Sequence, residues 1–104
     1  MKTTDYKSFD QSFEQFLCDC ETLVEVATSK EFTKEESFVI LLGAKHLEGI
    51  AKIAITTFEM DIFFDSEDQV AKKNLANVKE CLACITRIIE RMEANMLIAD
   101  LNLN

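Results

Sequence analysis

The cysteines are the side chains of this sequence best suited to chemistry, because all four occur in closely spaced pairs. Cys18 and Cys20 form a Cys-x-Cys, and Cys81 and Cys84 form a Cys-x-x-Cys. Four thiolates are a common zinc ligand set. Both pairs, however, lie in segments of helical periodicity, where side chains two residues apart point about 160° from each other. We therefore expect no metal and no cofactor. Cys20 is expected in the core, Cys81 at its boundary, and Cys18 and Cys84 at the surface.

His46, the only histidine, is the second candidate. The sequence around it, Lys-His-Leu-Glu-Gly, partly matches the His-x-Leu-Lys-Gly of histidine phosphotransfer domains, which are helical bundles of similar length. Aligning the leucine and the glycine puts a lysine at the histidine's place, and a glutamate replaces the lysine that would offset phosphate charge. We expect His46 at the edge of the core, and keep phosphotransfer-like or small-ligand chemistry at His46 as an alternative function.

Other arrangements typical of enzymes are missing from the sequence. No nucleophile lies on a tight turn, and no glycine-rich loop is available for phosphate. A di-metal bundle site needs Glu-x-x-His pairs, and a thioredoxin-type site needs a strand before its Cys-x-x-Cys; neither is found. We therefore predict that the protein is not an enzyme.

Composition favours a helical domain. The 104 residues are 48% apolar and 29% charged, with no proline and two glycines, so there are too few turn residues for a β-rich fold. The net charge of −8 disfavours direct binding to nucleic acid or to an anionic membrane. No apolar run reaches 18 residues and no leader sequence precedes the domain, so we expect a cytoplasmic protein with reduced thiols.

Apolar residues recur every three or four positions in three segments, and this predicts helices at about 5–29, 34–62 and 67–100. The third segment keeps the alternation of four and three across its length, at Ala71, Leu75, Val78, Leu82, Ile85, Ile89, Met92, Met96, Ala99 and Leu103. Capping boxes at Thr33–Glu36 and Ser66–Gln69 predict the starts of the second and third helices. The predicted fold is all-α: one domain, residues 1–104, forming either a three-helix antiparallel up-down-up bundle or two such chains that pair into a dimeric helical bundle.

The second helix has an apolar arc of roughly 220° around its axis, wider than one neighbour covers. We predict that it is the central helix and is covered on two sides. Its two glycines are expected to leave shallow places where another helix comes close. In the link that follows, Phe64 is expected to turn into the core and Phe63 to plug the loop or contact a partner.

Two surfaces are predicted for binding. The end of the third helix is apolar on nearly every side, and such a surface is normally covered. The predicted partner or dimer interface is therefore Met96, Leu97, Ile98, Leu101, Leu103 and Phe63. The first helix has an acidic outer face that would speed docking onto a basic protein, formed by Asp10, Glu14, Glu21 and Glu25.

These features predict a small acidic protein–protein interaction module, such as an adaptor, regulator, inhibitor or chaperone, that acts by binding without catalysis. The expected partners are a second copy of the chain, as a homodimer, and another protein with a basic surface. Besides a His46-dependent module, the alternative is an acidic mimic of nucleic acid that blocks a protein partner. Mimicry predicts that binding weakens steeply with salt and with neutralisation of Glu14 and Glu21.

Overall fold

Three helices make up the computed structural model: α1 (Lys2–Ser29), α2 (Lys34–Phe64) and α3 (Gln69–Leu103). The structure describes the backbone of residues 2–29 and 31–103 and the side chains of residues 12–28 and 31–98. No strand occurs in these ranges. The predicted all-α bundle of three helices is confirmed.

The start of α2 follows the predicted capping box. The backbone N–H of Glu36 donates to Thr33 Oγ1 at 3.2 Å, and the N–H of Thr33 donates to Glu36 Oε1 at 3.0 Å. These two bonds satisfy amides that have no partner inside the helix. Glu35 and Glu36 also lie in the first turn, where the helix dipole favours negative charge.

The start of α3 differs from the prediction, because aspartates replace the expected Ser66–Gln69 box. Asp68 Oδ1 accepts a hydrogen bond from the N–H of Ala71 at 2.9 Å, and Asp65 Oδ1 accepts one from the N–H of Glu67 at 3.1 Å. Aspartate is as good a cap as serine. The helix therefore begins at Gln69, two residues later than predicted.

The most extensive packing is between α2 and α3. On α2 the buried face consists mainly of small residues, with Ala44, Ala51 and Ala54 almost fully covered. On α3 the most fully covered side chains recur every seven residues, at Ala71, Val78, Ile85 and Met92. Alanine keeps the two backbones close, so the large side chains of α3 fill the space between the helices.

α1 packs on this pair through larger side chains. The Phe13 ring meets the Phe58 ring edge to face, with centroids 5.2 Å apart. Near the end of α1, the Arg91 guanidinium donates a 2.6 Å hydrogen bond to the carbonyl oxygen of Ala27. The middle of α1 thus lies by the later part of α2, and the end of α1 lies by the later part of α3. As predicted, α2 touches both other helices. The molecule measures 56 × 24 × 19 Å.

One buried polar group stands out in the first turns of α2. Ser37 is fully covered, and its Oγ has no hydrogen-bond partner among the described residues. A buried hydroxyl without a partner costs about 1–3 kcal/mol.

Candidate docking surfaces

The side of α2 that faces away from α1 and α3 is apolar and exposed. Its positions alternate in steps of three and four, and we call this set the outer stripe: Val39, Leu42, His46, Gly49, Ile53, Thr56, Met60 and Phe63. The large apolar side chains in it are exposed by 67% at Val39, 55% at Leu42, 69% at Ile53, 55% at Met60 and 82% at Phe63. This alternation is the heptad spacing of helices that pair with another helix.

The outer stripe lies on the opposite side of α2 from the buried alanines. At 100° per residue the centres of the two faces are about 160° apart. The prediction that α2 is covered on two sides is therefore half met, because the described side chains cover one side of α2 only. Phe38 and Phe64 border the outer stripe and are exposed as well.

The size of this apolar surface is unusual for a protein that works alone. From Val39 to Phe63 the outer stripe is about 36 Å long at 1.5 Å per residue. Contiguous apolar patches above a few hundred Å² are rare on monomers and commonly mark binding sites. The outer stripe is therefore the strongest candidate for a functional surface.

The last turn of α2 and the first turn of α3 extend the apolar surface at one end. The rings of Phe63 and Phe64 meet edge to face with centroids 5.4 Å apart, and Val70 is also exposed. The expectation that Phe64 turns into the core is wrong, since α2 continues to Phe64 and carries its side chain onto the outer side. Phe63 is free for a partner contact, one of its two predicted roles.

The predicted interface at the end of α3 is described in part. Leu97 and Ile98 are exposed, and Met96 is half-buried. The side chains of Leu101 and Leu103 lie outside the described residues. Among the side chains described at this end, Leu97 and Ile98 are thus available to a partner.

The predicted acidic face of α1 is exposed where it is described. Glu14, Glu21 and Glu25 all face solvent, while the Asp10 side chain lies outside the described residues. Glu21 and Glu25 also border a groove between α1 and α3.

That groove contains three of the four cysteines. It has a volume of about 540 Å³ and is lined by Leu17, Cys20, Glu21, Val24, Glu25, Asn77, Glu80, Cys81, Cys84 and Ile85. Burial raises the pKa of the Cys20 thiol to about 12, and its hydrogen bond with Cys81 acts in the same direction. Burial also raises the pKa of Cys81, although the bond it accepts from Cys20 partly offsets this. Both thiols are protonated at neutral pH and are weak nucleophiles.

The positions of the cysteines agree with prediction at three sites. Cys20 is buried, Cys81 is half-buried and Cys18 is exposed. Cys84, expected at the surface, is half-buried instead because α1 lies beside it and forms the other wall of the groove. Among the described residues, no three His, Cys, Asp or Glu side chains are grouped so that they could hold a metal ion.

His46 is exposed and lies in the middle of the outer stripe, not at the edge of the core. The sequence signal for its true position was present, since His46 fits the same steps of three and four as Leu42 and Ile53. Its exposure meets one requirement of phosphotransfer. Its setting between apolar side chains is that of a contact surface.

Comparison with known protein families, curated proteins and solved structures finds no match for this chain. In the described ranges, no helix has the length and apolar character needed to cross a membrane.

Proposed function

We propose that this protein is a small acidic protein–protein interaction module that acts by binding and performs no chemistry of its own. The observation that carries the proposal is the outer stripe, a heptad-spaced apolar face whose large side chains stay exposed in the described part of the chain. Covering it would remove large apolar side chains from water, at about 25 cal/mol per Å² of apolar area.

The surroundings of the outer stripe suit a protein interface. Charged side chains flank it on one side, at Lys45, Lys52 and Glu59, so an apolar centre is bordered by a polar rim. That arrangement is typical of protein–protein contacts. Met60 and Phe63, at one end of the outer stripe, are residue types that are enriched in protein–protein interfaces.

The other exposed surfaces would assist binding. The acidic face of α1, with Glu14, Glu21 and Glu25, would raise the rate of encounter with a basic partner. The four free thiols fit a reducing compartment such as the cytoplasm.

Site-specific photocrosslinking in the native host tests this proposal. A photoreactive phenylalanine analogue at Leu42, on the outer stripe, should give a covalent adduct with a protein. The same analogue at Ala76, exposed on α3, is the matched control and should give none. Equal yields at the two positions, or no adduct at Leu42, would contradict the proposal.

A further inference from the structure

We infer that the outer stripe is covered by a second copy of this chain, with the two α2 helices antiparallel about a twofold axis near residue 51. This inference rests on the proposed function and names its partner. It moves the dimer contact from the end of α3, where the sequence places it, to the face of α2.

The available area is what a stable dimer needs. If a large apolar side chain has a full accessible area of about 150–220 Å², the exposed fractions on and beside the outer stripe amount to roughly 800 Å² per copy. The side chains counted are Phe38, Val39, Leu42, Ile53, Met60, Phe63 and Phe64. A standard protein–protein interface buries about 800 Å² on each partner.

The charge distribution permits two acidic chains to meet at this face. The chain carries a net charge of −8, but residues 38–64 carry two lysines, two glutamates and one aspartate, a net charge of only −1. Like-charge repulsion is therefore smallest where the two copies would touch. The acidic face of α1 would stay in solvent.

The antiparallel register follows from the sizes of the side chains. With the axis at residue 51, the layers that meet are those whose numbers add to 102: Val39 with Phe63, Leu42 with Met60, His46 with Thr56 and Gly49 with Ile53. Every layer occurs twice by symmetry, so the surface is complementary to itself. A twofold dimer needs this property.

The contact between Gly49 and Ile53 is the most specific of these layers. A Cβ at Gly49 would meet nothing within 4 Å, so there is open space above the backbone. Ile53 projects from the same face with 69% of its surface exposed. In the antiparallel pair, the second copy's Ile53 fills the space above Gly49, and the reverse contact forms across the axis.

A parallel pair would use the same surface less well. In a parallel pair each heptad residue packs against the same residue of the second copy, so Gly49 would lie against Gly49 and leave a gap. Gaps at a contact lose van der Waals energy that a filled layer retains. The sizes of the side chains therefore favour the antiparallel pair.

The flanking charges add a second complementarity. In the antiparallel register Lys45 lies about two residues' rise, roughly 3 Å, from the level of the second copy's Glu59. Both lie on the same flank of α2, so two Lys45–Glu59 ion pairs form. The two Lys52 side chains also approach the axis. Each already has a carboxylate of its own chain beside it, Glu48 Oε1 at 3.9 Å from Nζ.

His46 and Thr56 form the single polar layer. The Thr56 hydroxyl donates to the Lys52 carbonyl oxygen at 3.2 Å, so its oxygen remains able to accept from the imidazole N–H of the second copy's His46. A polar pair inside an apolar seam fixes register and orientation, because any shift leaves it without a partner. This gives His46 a structural role in the dimer.

Light scattering on three forms of the purified chain tests where the dimer contact lies. The unaltered chain should have a mass near twice 11.9 kDa. Ile53→Glu should be monomeric, with association weakened at least about 100-fold, because burying an unpaired charge costs several kcal/mol. Leu97→Glu places the same charge at an exposed site at the end of α3 and should remain dimeric. Loss of the dimer in Leu97→Glu but not in Ile53→Glu would overturn the inference.

Charge reversal tests the antiparallel register. Lys45→Glu and Glu59→Lys should each weaken association, roughly 3- to 10-fold for pairs at the rim. The double variant should recover the affinity of the unaltered chain, because the reversed pairs form again. Both side chains are exposed, so the fold should survive, and circular dichroism would verify this. A double variant weaker than either single variant would overturn the antiparallel register.

The inference and the proposed function can fail separately. A monomeric chain that still gives a Leu42 adduct with a different protein in the host would overturn the dimer and keep the binding function. A monomeric chain with no adduct would overturn both. A Leu42 adduct with twice the mass of the chain, together with loss of the dimer in Ile53→Glu, would support both.

Discussion

α2 has two apolar faces, and the difference between them explains most of this molecule. The inner face is covered and is rich in small residues, with Ala44, Ala51 and Ala54 among them. The outer face carries larger residues, Leu42 and Ile53 among them, and is exposed. Both faces repeat in steps of three and four. Small residues permit close packing within the chain, while large exposed residues leave apolar surface for another molecule.

Truncating one leucine on each face should separate the two roles most strongly. Leu47 is almost fully covered on the inner face, and Leu42 is 55% exposed on the outer. Leu47→Ala should lower the free energy of unfolding by about 2–5 kcal/mol through the cavity it leaves. Leu42→Ala should change it by less than about 0.5 kcal/mol in dilute solution. Urea titration followed by circular dichroism measures both; equal losses would refute the assignment of faces.

Enlarging an inner-face alanine should have the next largest effect. Ala51 is fully covered, so Ala51→Leu forces side chains into a filled space and should cost about 1–3 kcal/mol of stability. Ala83, exposed on α3, is the control, and Ala83→Leu should be nearly neutral. Thermal unfolding would compare them, and a tolerated leucine at position 51 would mean that the inner face is loosely packed.

Two hydroxyls one turn apart should respond in opposite directions. Thr33→Ala removes the cap of α2 and should cost about 1 kcal/mol. Ser37→Ala removes a covered hydroxyl without a partner in the described part of the chain, and should raise the free energy of unfolding by up to about 1 kcal/mol. Denaturant titration of the two variants measures the difference. A destabilised Ser37→Ala would show that this hydroxyl is bonded.

Gly43 offers a smaller gain. A Cβ there meets nothing within 4 Å, so Gly43→Ala should stabilise the helix by up to about 1 kcal/mol through propensity alone. Gly49→Ala should give the same gain in dilute solution but weaken the dimer, because it narrows the space for Ile53 of the second copy. Measuring stability at low concentration and association at high concentration separates the two effects. If Gly43→Ala and Gly49→Ala had the same stability and the same association affinity, the proposed contact between Gly49 and Ile53 of the second copy would be wrong.

Two thiols of α1, Cys18 and Cys20, should differ in reactivity, with little effect on stability near neutral pH. Cys20 has a pKa of about 12 and is buried, whereas Cys18 is exposed on the same helix. At pH 8 iodoacetamide should modify Cys18 well before Cys20, because the thiolate is the reactive form. Above about pH 9 the unfolded Cys20 loses its proton before the folded one, so stability should fall as pH rises towards 12. Mass spectrometry of peptides would rank the sites, and faster labelling of Cys20 would contradict its burial.

Much of the fold is readable from sequence because it is local. The Thr33–Glu36 box and the unbroken heptad of α3 depend on residues within a few positions of each other, and both agree with the structure. The start of α3 was misplaced because several residues of the link are good caps, and which one caps depends on the path of the chain. In the structure, Asp68 rather than Ser66 caps the start of α3.

The candidate site was harder to predict because it depends on which helix, or which molecule, covers each apolar face. The width of the apolar arc of α2 indicates that two of its sides are covered. Periodicity does not show whether the element that covers each side belongs to the same chain or to another molecule. The predictions for Phe64 and Cys84 are wrong for the same reason. The exposure of Phe64 depends on how far α2 extends, and the burial of Cys84 depends on where α1 packs. His46 could have been assigned to the outer stripe from its spacing alone.

Hydroxyl-radical footprinting of two methionines tests the central claim most directly. Met60 is 55% exposed on the outer stripe, while Met92 is fully covered between the helices. In dilute solution Met60 should be oxidised readily and Met92 slowly. As concentration rises, Met60 should become protected while the exposed Leu97 is labelled as before. Labelling of Met60 that does not change with concentration, or that is as slow as at Met92 in dilute monomer, would contradict the account.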